Sequence, residues 1–339
     1  MVDRLRSVLR WEGALVLLFI ATIVYGNNGS QYFLTRGNIF FVLLNVGEVA
    51  IMALPLTLIV ITGEIDLSVA SILGIARLTM GELFQHGYGI WWAMIGALAV
   101  GVLAGAFNGL LITQLGLPSL AVTIGTLTLY RGIAQGILPT DTIQVYKPPY
   151  SNIGVTPIGG TEIPWSFAFF AVLAVIFGVV LHATPLGRSI YAIGAGQEAA
   201  RFAGIRVRRI KFWLYVLSGL LSAFAGILWT LRFSSARYDS GIGLELFVVT
   251  IVLLGGVSIF GGRGTIIGVA LAVIVLGSLQ TAMTQANQSP QEQNIVIGAL
   301  LILSVVVPNA PGMYRRARLR WHSIMARRHA GEAAEAAEA

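Results

Sequence analysis

Long uninterrupted apolar runs dominate this sequence, separated by short polar or glycine-rich stretches. The polar positions mark ends rather than faces. About 20 apolar residues are needed to carry a helix across ~30 Å of hydrocarbon. Ten segments qualify: 11–26, 39–62, 67–84, 90–114, 117–138, 164–183, 212–231, 246–260, 264–284 and 293–308. The third and eighth are short, and the fifth carries Arg131, which predicts a broken or interior-lining helix. Runs such as Phe167–Leu181 do not alternate apolar with polar residues, as the ~10-residue strands of a membrane β-barrel would. The expected fold is all-α: a polytopic membrane bundle of about ten transmembrane helices.

Composition sharpens this picture. Of 339 residues 56% are hydrophobic and only 11% charged, against about 25% charged in soluble domains. The mean hydropathy is +0.81. An ordinary soluble enzyme is excluded, because too little polar surface is present to cover it. Glycine is abundant at 40 residues, which suits close helix approach. Gly101, Gly105 and Gly109 recur at i, i+4, i+8, as do Ser218, Ser222 and Gly226, and each ladder predicts a smooth packing face. There is no cysteine, which rules out disulfides and thiolate chemistry.

The net charge of +7 reads as topology rather than as nucleic-acid binding. With the N-terminus inside and ten spans, sixteen Lys and Arg fall on the cytoplasmic side. Only Arg36, Lys147, Arg232 and Arg237 fall outside. Both termini are therefore expected in the cytoplasm. Arg4, Arg6 and Arg10 before the first span resemble a signal sequence. Glu12 and the lack of a small-residue cleavage site favour an uncleaved helix. Residues 1–312 form the expected transmembrane domain. Residues 139–163, rich in Pro and Gly, form an outer cap, and 184–211 form a basic inner loop. Residues 313–339 form a basic, then low-complexity tail.

The chain has no Gly-Lys pair, hence no phosphate loop of that type, and no His-Glu-x-x-His or Gly-x-Ser-x-Gly. No catalytic residue, metal site or cofactor is expected. Glycine clusters at 194–196 and 255–264 read as turns and close packing. Glu48, Glu64, Asp66, Glu82 and Glu245 lie in or beside spans, where a buried acid is costly unless paired. Arg77 and Arg131 are candidate partners. In Ile61-Thr-Gly-Glu-Ile-Asp-Leu-Ser-Val, Gly63 is expected to break a helix, with Asp66 and Ser68 capping the next. In the inner loop, Gly194 and Gly196 end one element, Gln197–Ala203 forms a two-turn helix, and Gly204 closes it. So short a helix is marginal alone. It needs either a partner groove or a bed of lipid headgroups.

Glu198-Ala-Ala-x-x-x-Gly204 matches the core of the "EAA" loop of bacterial ABC-importer permeases, without the Ile-x-Leu-Pro that ends the fuller form. Thr184-Pro-Leu-Gly-Arg-Ser-Ile-Tyr-Ala-Ile-Gly and Gly204-Ile-Arg-Val resemble permeases of ABC sugar importers of the ribose type. Ile61–Val69, Phe233-Ser-Ser-Ala-Arg and Val252-Leu-Leu-Gly-Gly-Val-Ser-Ile-Phe-Gly-Gly-Arg-Gly-Thr265 do so as well. Glu64 and Ala70 stand where that family has Gly. Leu246-Phe247 stands where it often has Leu-Asp. Ala53–Val60 and Leu83-Phe-Gln resemble the rhamnose and autoinducer-2 branches.

The resemblance implies a multi-pass permease subunit of the bacterial inner membrane that is itself no enzyme. It would translocate a monosaccharide or similar small neutral polar solute inward. Implied partners are ABC ATPase subunits, a second permease chain (identical or paralogous), a periplasmic or lipid-anchored sugar-binding protein, and membrane lipid. The ATPase-coupling residues it points to are Gly187, Arg188, Glu198, Ala199, Ala200, Arg201, Phe202, Gly204 and Arg206. Gly63, Asp66, Ser68, Gly255, Gly256, Gly261 and Gly262 are its structural motif residues. The alternative is an ion-coupled secondary transporter or channel acting alone.

Overall fold

The structure, a computed structural model, describes residues 2–138, 142–144, 150–237 and 239–310. The expected tail at 313–339 and parts of the outer cap, including Pro139 and Lys147–Pro149, lie outside the described residues. Five helices come first: α1 (Val2–Gly29), α2 (Arg36–Ile61), α3 (Val69–Gln85), α4 (Ile90–Thr113) and α5 (Ser119–Ile137). Strand β1 (Ile143–Gln144), α6 (Tyr150–Val155) and α7 (Trp165–Ala183) follow. Next come α8 (Pro185–Ala195), α9 (Gln197–Phe202), α10 (Val207–Phe233), β2 (Ser235–Ala236) and α11 (Leu244–Leu254). The bundle ends with α12 (Ile266–Gln285) and α13 (Pro290–Ala310). β1 and β2 pair antiparallel, Ile143 opposite Ala236, and are the whole of the sheet structure described. The all-α membrane bundle is therefore as expected.

α2 and α10 form the centre. Every residue from Val46 to Thr62 is buried, which fits a helix that is apolar all round. α7 and α13 are also apolar but mostly exposed in the isolated chain. Among the described residues, six helices are long and apolar enough to cross a membrane: α2, α4, α7, α10, α12 and α13.

Two boundaries differ from expectation. The eighth segment, 246–260, is not one helix. α11 stops at Leu254 after 11 residues, about 16 Å of rise, roughly half the hydrocarbon thickness. Gly255 caps it and Gly256 takes φ +82°, so a glycine turn ends the helix where hydropathy continues. The basic loop is shorter than 184–211, because α10 begins at Val207 and absorbs Arg208, Arg209 and Lys211.

The two small-residue ladders pack as faces, though not against each other. Gly101 and Gly105 lie against Gly219 and the Tyr215 carbonyl of α10. Gly109 lies against Phe212. Gly226 faces the Leu73 carbonyl of α3. At Gly219 an added methyl group would run into the Gly101 carbonyl, which is rigid backbone. Gly219→Ala is expected to cost about 1–3 kcal/mol by overpacking. Gly125→Ala, with nothing within 4 Å, should cost nothing. Thermal melting of the detergent-purified protein checks the pair, and an equal melting temperature for both variants would contradict the close approach.

Candidate functional site

The path from α2 to α3 is a break in the helical backbone. α2 ends at Ile61, and Gly63 at φ +83° turns the chain out of the helix, as its sequence predicts. Residues 64–68 are non-helical and run against α10. Glu64 meets Lys211, the Ile65 carbonyl accepts from the Tyr215 hydroxyl at 3.4 Å, and Asp66 meets Ser218. Positions 211, 215 and 218 lie on one face of a helix by i, i+4, i+7.

Non-helical backbone inside a membrane protein must be satisfied by protein groups. Ile65 N–H donates to Ser119 Oγ at 3.2 Å on α5. Asp66 is 1% exposed. Its Oδ1 accepts from the Ser68 amide at 3.0 Å and hydroxyl at 2.6 Å, and its Oδ2 from the Ser218 hydroxyl at 2.8 Å. Asn108 of α4 donates to Ser68 Oγ at 2.8 Å, and Tyr130 of α5 donates to the Ala104 carbonyl. Ser68 occupies the N-cap of α3, but its side chain makes no cap hydrogen bond, contrary to expectation. Asp66 and Asn108 already engage it.

The second part of the site is the α8–α9 unit. Thr184 caps α8 by accepting from Gly187 N–H, with Pro185 in the first turn. Gly187 is buried against the Leu181 carbonyl, so it sets the α7–α8 bend. Arg188 is exposed on α8. α9 is the short helix expected at 197–203. Gly204, at φ +81°, donates to the Arg201 carbonyl, and Ile205 N–H donates to that of Ala200. This is a Schellman closure. Ala200 is buried with Ile193 and Val207. Glu198, Ala199, Arg201, Phe202 and Arg206 are exposed, Phe202 by 93%.

A glycine knot joins the two parts. Gly262 N–H donates to the Ile61 carbonyl at 2.8 Å, at the end of α2. Gly194 lies against the same carbonyl and against Gly262. It sits inside α8 rather than ending it; the helix ends at Ala195. Gly261, at φ +80°, approaches Gly63 N–H and the Gly194 carbonyl, each 3.0 Å from where its Cβ would stand. Tyr191 of α8 donates to the Gly264 carbonyl at 2.6 Å. Burial pushes its hydroxyl up to about 12, so it remains a donor at neutral pH. Gly255 packs on Val269 of α12. Gly256 leaves room for Trp11, whose indole N–H caps the Leu254 carbonyl at 2.8 Å.

The acids expected to need partners have them. Glu48 meets Arg232 at 3.4 Å, and Arg131 meets Glu245 at 3.3 Å from an unbroken α5. Glu82 lies at an open end beside His86. Arg77 reaches Thr230 and the Ser235 carbonyl. Lys211, expected within the basic inner loop, lies instead in α10 and is 4% exposed. It donates to Glu64 and, at 2.9 Å, to Gln197. Sequence reasoning missed Lys211, Asn108, Gly194 and Tyr191 as site residues. A lone Asn within the apolar run of α4 was the available signal for one of them. Among the described residues, no group of three or more His, Asp or Glu could hold a metal.

Asp66→Ala strands the Ser68 amide and the Ser218 hydroxyl in a dry interior. A stability loss of about 1–3 kcal/mol is expected, with Asp66→Asn losing less because it keeps an acceptor. Chemical-denaturant unfolding in detergent measures both. Equal stability of Asp66→Ala and the unmodified protein would contradict this network.

No solved structure matches the chain. Residues 38–305 match the family described as "Branched-chain amino acid transport system / permease component". The autoinducer 2 import system permease protein LsrD of Klebsiella pneumoniae is 32% identical over 330 residues, covering 95% of this chain and 98% of the relative. That of Salmonella typhimurium is 33% identical over 321 residues, covering 92% and 95%. That of Photorhabdus laumondii is 34% identical over 305 residues, covering 87% and 90%. The autoinducer-2 branch read from Ala53–Val60 and Leu83–Gln85 is thus the one these relatives carry. With a helical bundle, a buried break and a matching stretch from α2 to α13, the chain belongs to this family of transport-system permeases and is a multi-pass membrane protein.

Proposed function

We propose that the chain is the translocating subunit of an ATP-binding-cassette importer in a bacterial inner membrane, with α9 as its dock for separate ATPase subunits. The observation that carries this is the α8–α9 unit. A two-turn helix cannot hold itself in water, and this one presents Phe202 almost fully exposed beside Glu198, Ala199 and Arg201. An exposed aromatic anchor flanked by charged groups of both signs suits insertion into a protein groove.

In this reading the chain crosses the membrane about ten times, with both termini and α8–α9 in the cytoplasm, as the distribution of Lys and Arg supports. α11 contributes a half-span closed by the 255–264 turn. Closure of the ATPase pair moves α9. The movement passes through α8 and the glycine knot to the end of α2 and the break at 62–68. A second permease chain completes the pathway, and a periplasmic or lipid-anchored binding protein delivers the solute. The cargo is a monosaccharide or similar small neutral polar solute, with autoinducer 2 the first candidate by the names of the relatives. Few unpaired charges line the spans, which suits a neutral solute passing without a strong stop.

Reconstitution in vesicles with the ATPase subunits and the binding protein tests the proposal. Uptake is expected only with ATP and all subunits. Gly204→Trp and Glu198→Arg should abolish it, along with co-purification of the ATPase, while membrane insertion persists. Accumulation driven by an ion gradient through the chain alone would sink the reading, as would full uptake by both variants.

A further inference from the structure

We propose that Lys211 is a positioning residue that joins α9 to the broken segment, so that the docking helix and residues 64–66 move as one body. This deepens the docking role proposed for α9 and rests on it.

Three separate elements meet at one ammonium group. Lys211 lies just over one turn into α10. Glu64 comes from the non-helical segment after α2, and Gln197 is the first residue of α9. Arg206, Arg208 and Arg209, around the same turn, are exposed, whereas Lys211 is turned inward and 4% exposed. A lysine on a membrane-end helix readily extends its ammonium to water. Burying it is favourable only with good partners. It has two, and they come from different parts of the chain. Burial of this charge therefore fixes where Gln197 and Glu64 sit relative to each other.

What lies on either side of the joint gives it a task. At the far end of α9 is the exposed ring of Phe202. Beyond Glu64 the chain runs directly to Ile65 and Asp66. Those residues are bonded to Ser119 of α5 and to Ser218 of α10, and Ser68 is bonded to Asn108 of α4. Because residues 65–68 are bonded to α4, α5 and α10 and pack in a dense interior, a displacement of Glu64 is passed on rather than absorbed. The glycine knot brings α8 to the end of α2, but through van der Waals contact and a few backbone bonds. The ion pair adds a directional link from α9 itself.

The test uses the complete reconstituted transporter, with ATP hydrolysis and solute uptake measured in parallel. The readout is solute moved per ATP hydrolysed. Lys211→Met and Glu64→Gln should keep hydrolysis and lower that ratio about tenfold, the scale of one ordinary coupling contact. A purely structural role would reduce the amount of assembled complex and so lower both rates together, leaving the ratio unchanged. Should the single variants fail to accumulate, the neutral pair Glu64→Gln with Lys211→Met leaves no buried charge and is expected to give the same low ratio. Exchanging the charges, Glu64→Lys with Lys211→Glu, should recover much of it, because Gln197 can turn its amide nitrogen toward the new carboxylate. An unchanged ratio in Lys211→Met or in the neutral pair overturns the joint. Failure of the docking reading looks different: the unmodified permease would then retain no ATPase subunits at all.

Discussion

A peptide group that leaves a helix inside hydrocarbon has no water to bond to, and each such group left unpaired costs several kcal/mol. The stretch from Ile65 to Ser68, just past the end of α2, meets this constraint, and its surroundings follow from it. Ser119 and Thr123 stand one turn apart on α5 because the Ile65 peptide needs a donor and an acceptor there. Asp66 takes over the Ser68 amide, which no helix partner reaches, and hands its other oxygen to α10. Asn108, buried in an otherwise apolar helix, is there to serve Ser68. Hydrogen bonding thus selects which polar residues the apolar helices carry and at which height.

Glycine does the complementary work. Where the end of α2, the end of α8 and the 255–264 turn cross, backbone touches backbone, and a single Cβ at Gly194 would force them apart. Such contacts leave little compliance. In a packed interior an imposed shift moves neighbours as a unit, because there is no void to absorb it. The dock proposed for α9 can act on the break at 62–68 only across a connection of this kind.

The sequence carried much of this. Apolar runs placed the long helices after α1 within about five residues, because hydrophobic length is a direct consequence of the bilayer; α1 begins at Val2, nine residues ahead of its apolar run. Gly63, Gly204 and Gly256 were legible because positive φ has a strong residue preference. The failures share a cause. The segment 246–260 reads as one span since hydropathy does not register a turn whose glycines are themselves apolar. Lys211 reads as one more residue of the basic inner loop because it follows Arg206–Arg209, and only the fold reveals that one residue of the run faces the opposite way. Ser68 reads as a cap because local spacing cannot anticipate that Asp66 and Asn108, one local and one forty residues away, compete for it. Where a residue's role is set by its own helix the sequence sufficed; where two distant segments decide, it did not.

α10 carries a cation near each end, Lys211 buried and Arg232 half-buried, and both are answered from the same direction. Arg232 pairs with Glu48 within α2 and also donates to the Leu44 carbonyl, while Lys211 pairs with Glu64 just beyond the end of α2. Apolar packing is non-directional, so two smooth helices resist separation better than they resist sliding. Two ion pairs placed toward opposite ends remove that freedom, since no axial slip of α10 along α2 preserves both. Arg131 with Glu245 does the same for α5 against the start of α11. The helices of this permease are therefore held in register by charge and held together by shape. A motion imposed at the α9 end, as the proposed dock would impose it, is then expressed as rotation or tilt of whole helices rather than as slippage between them.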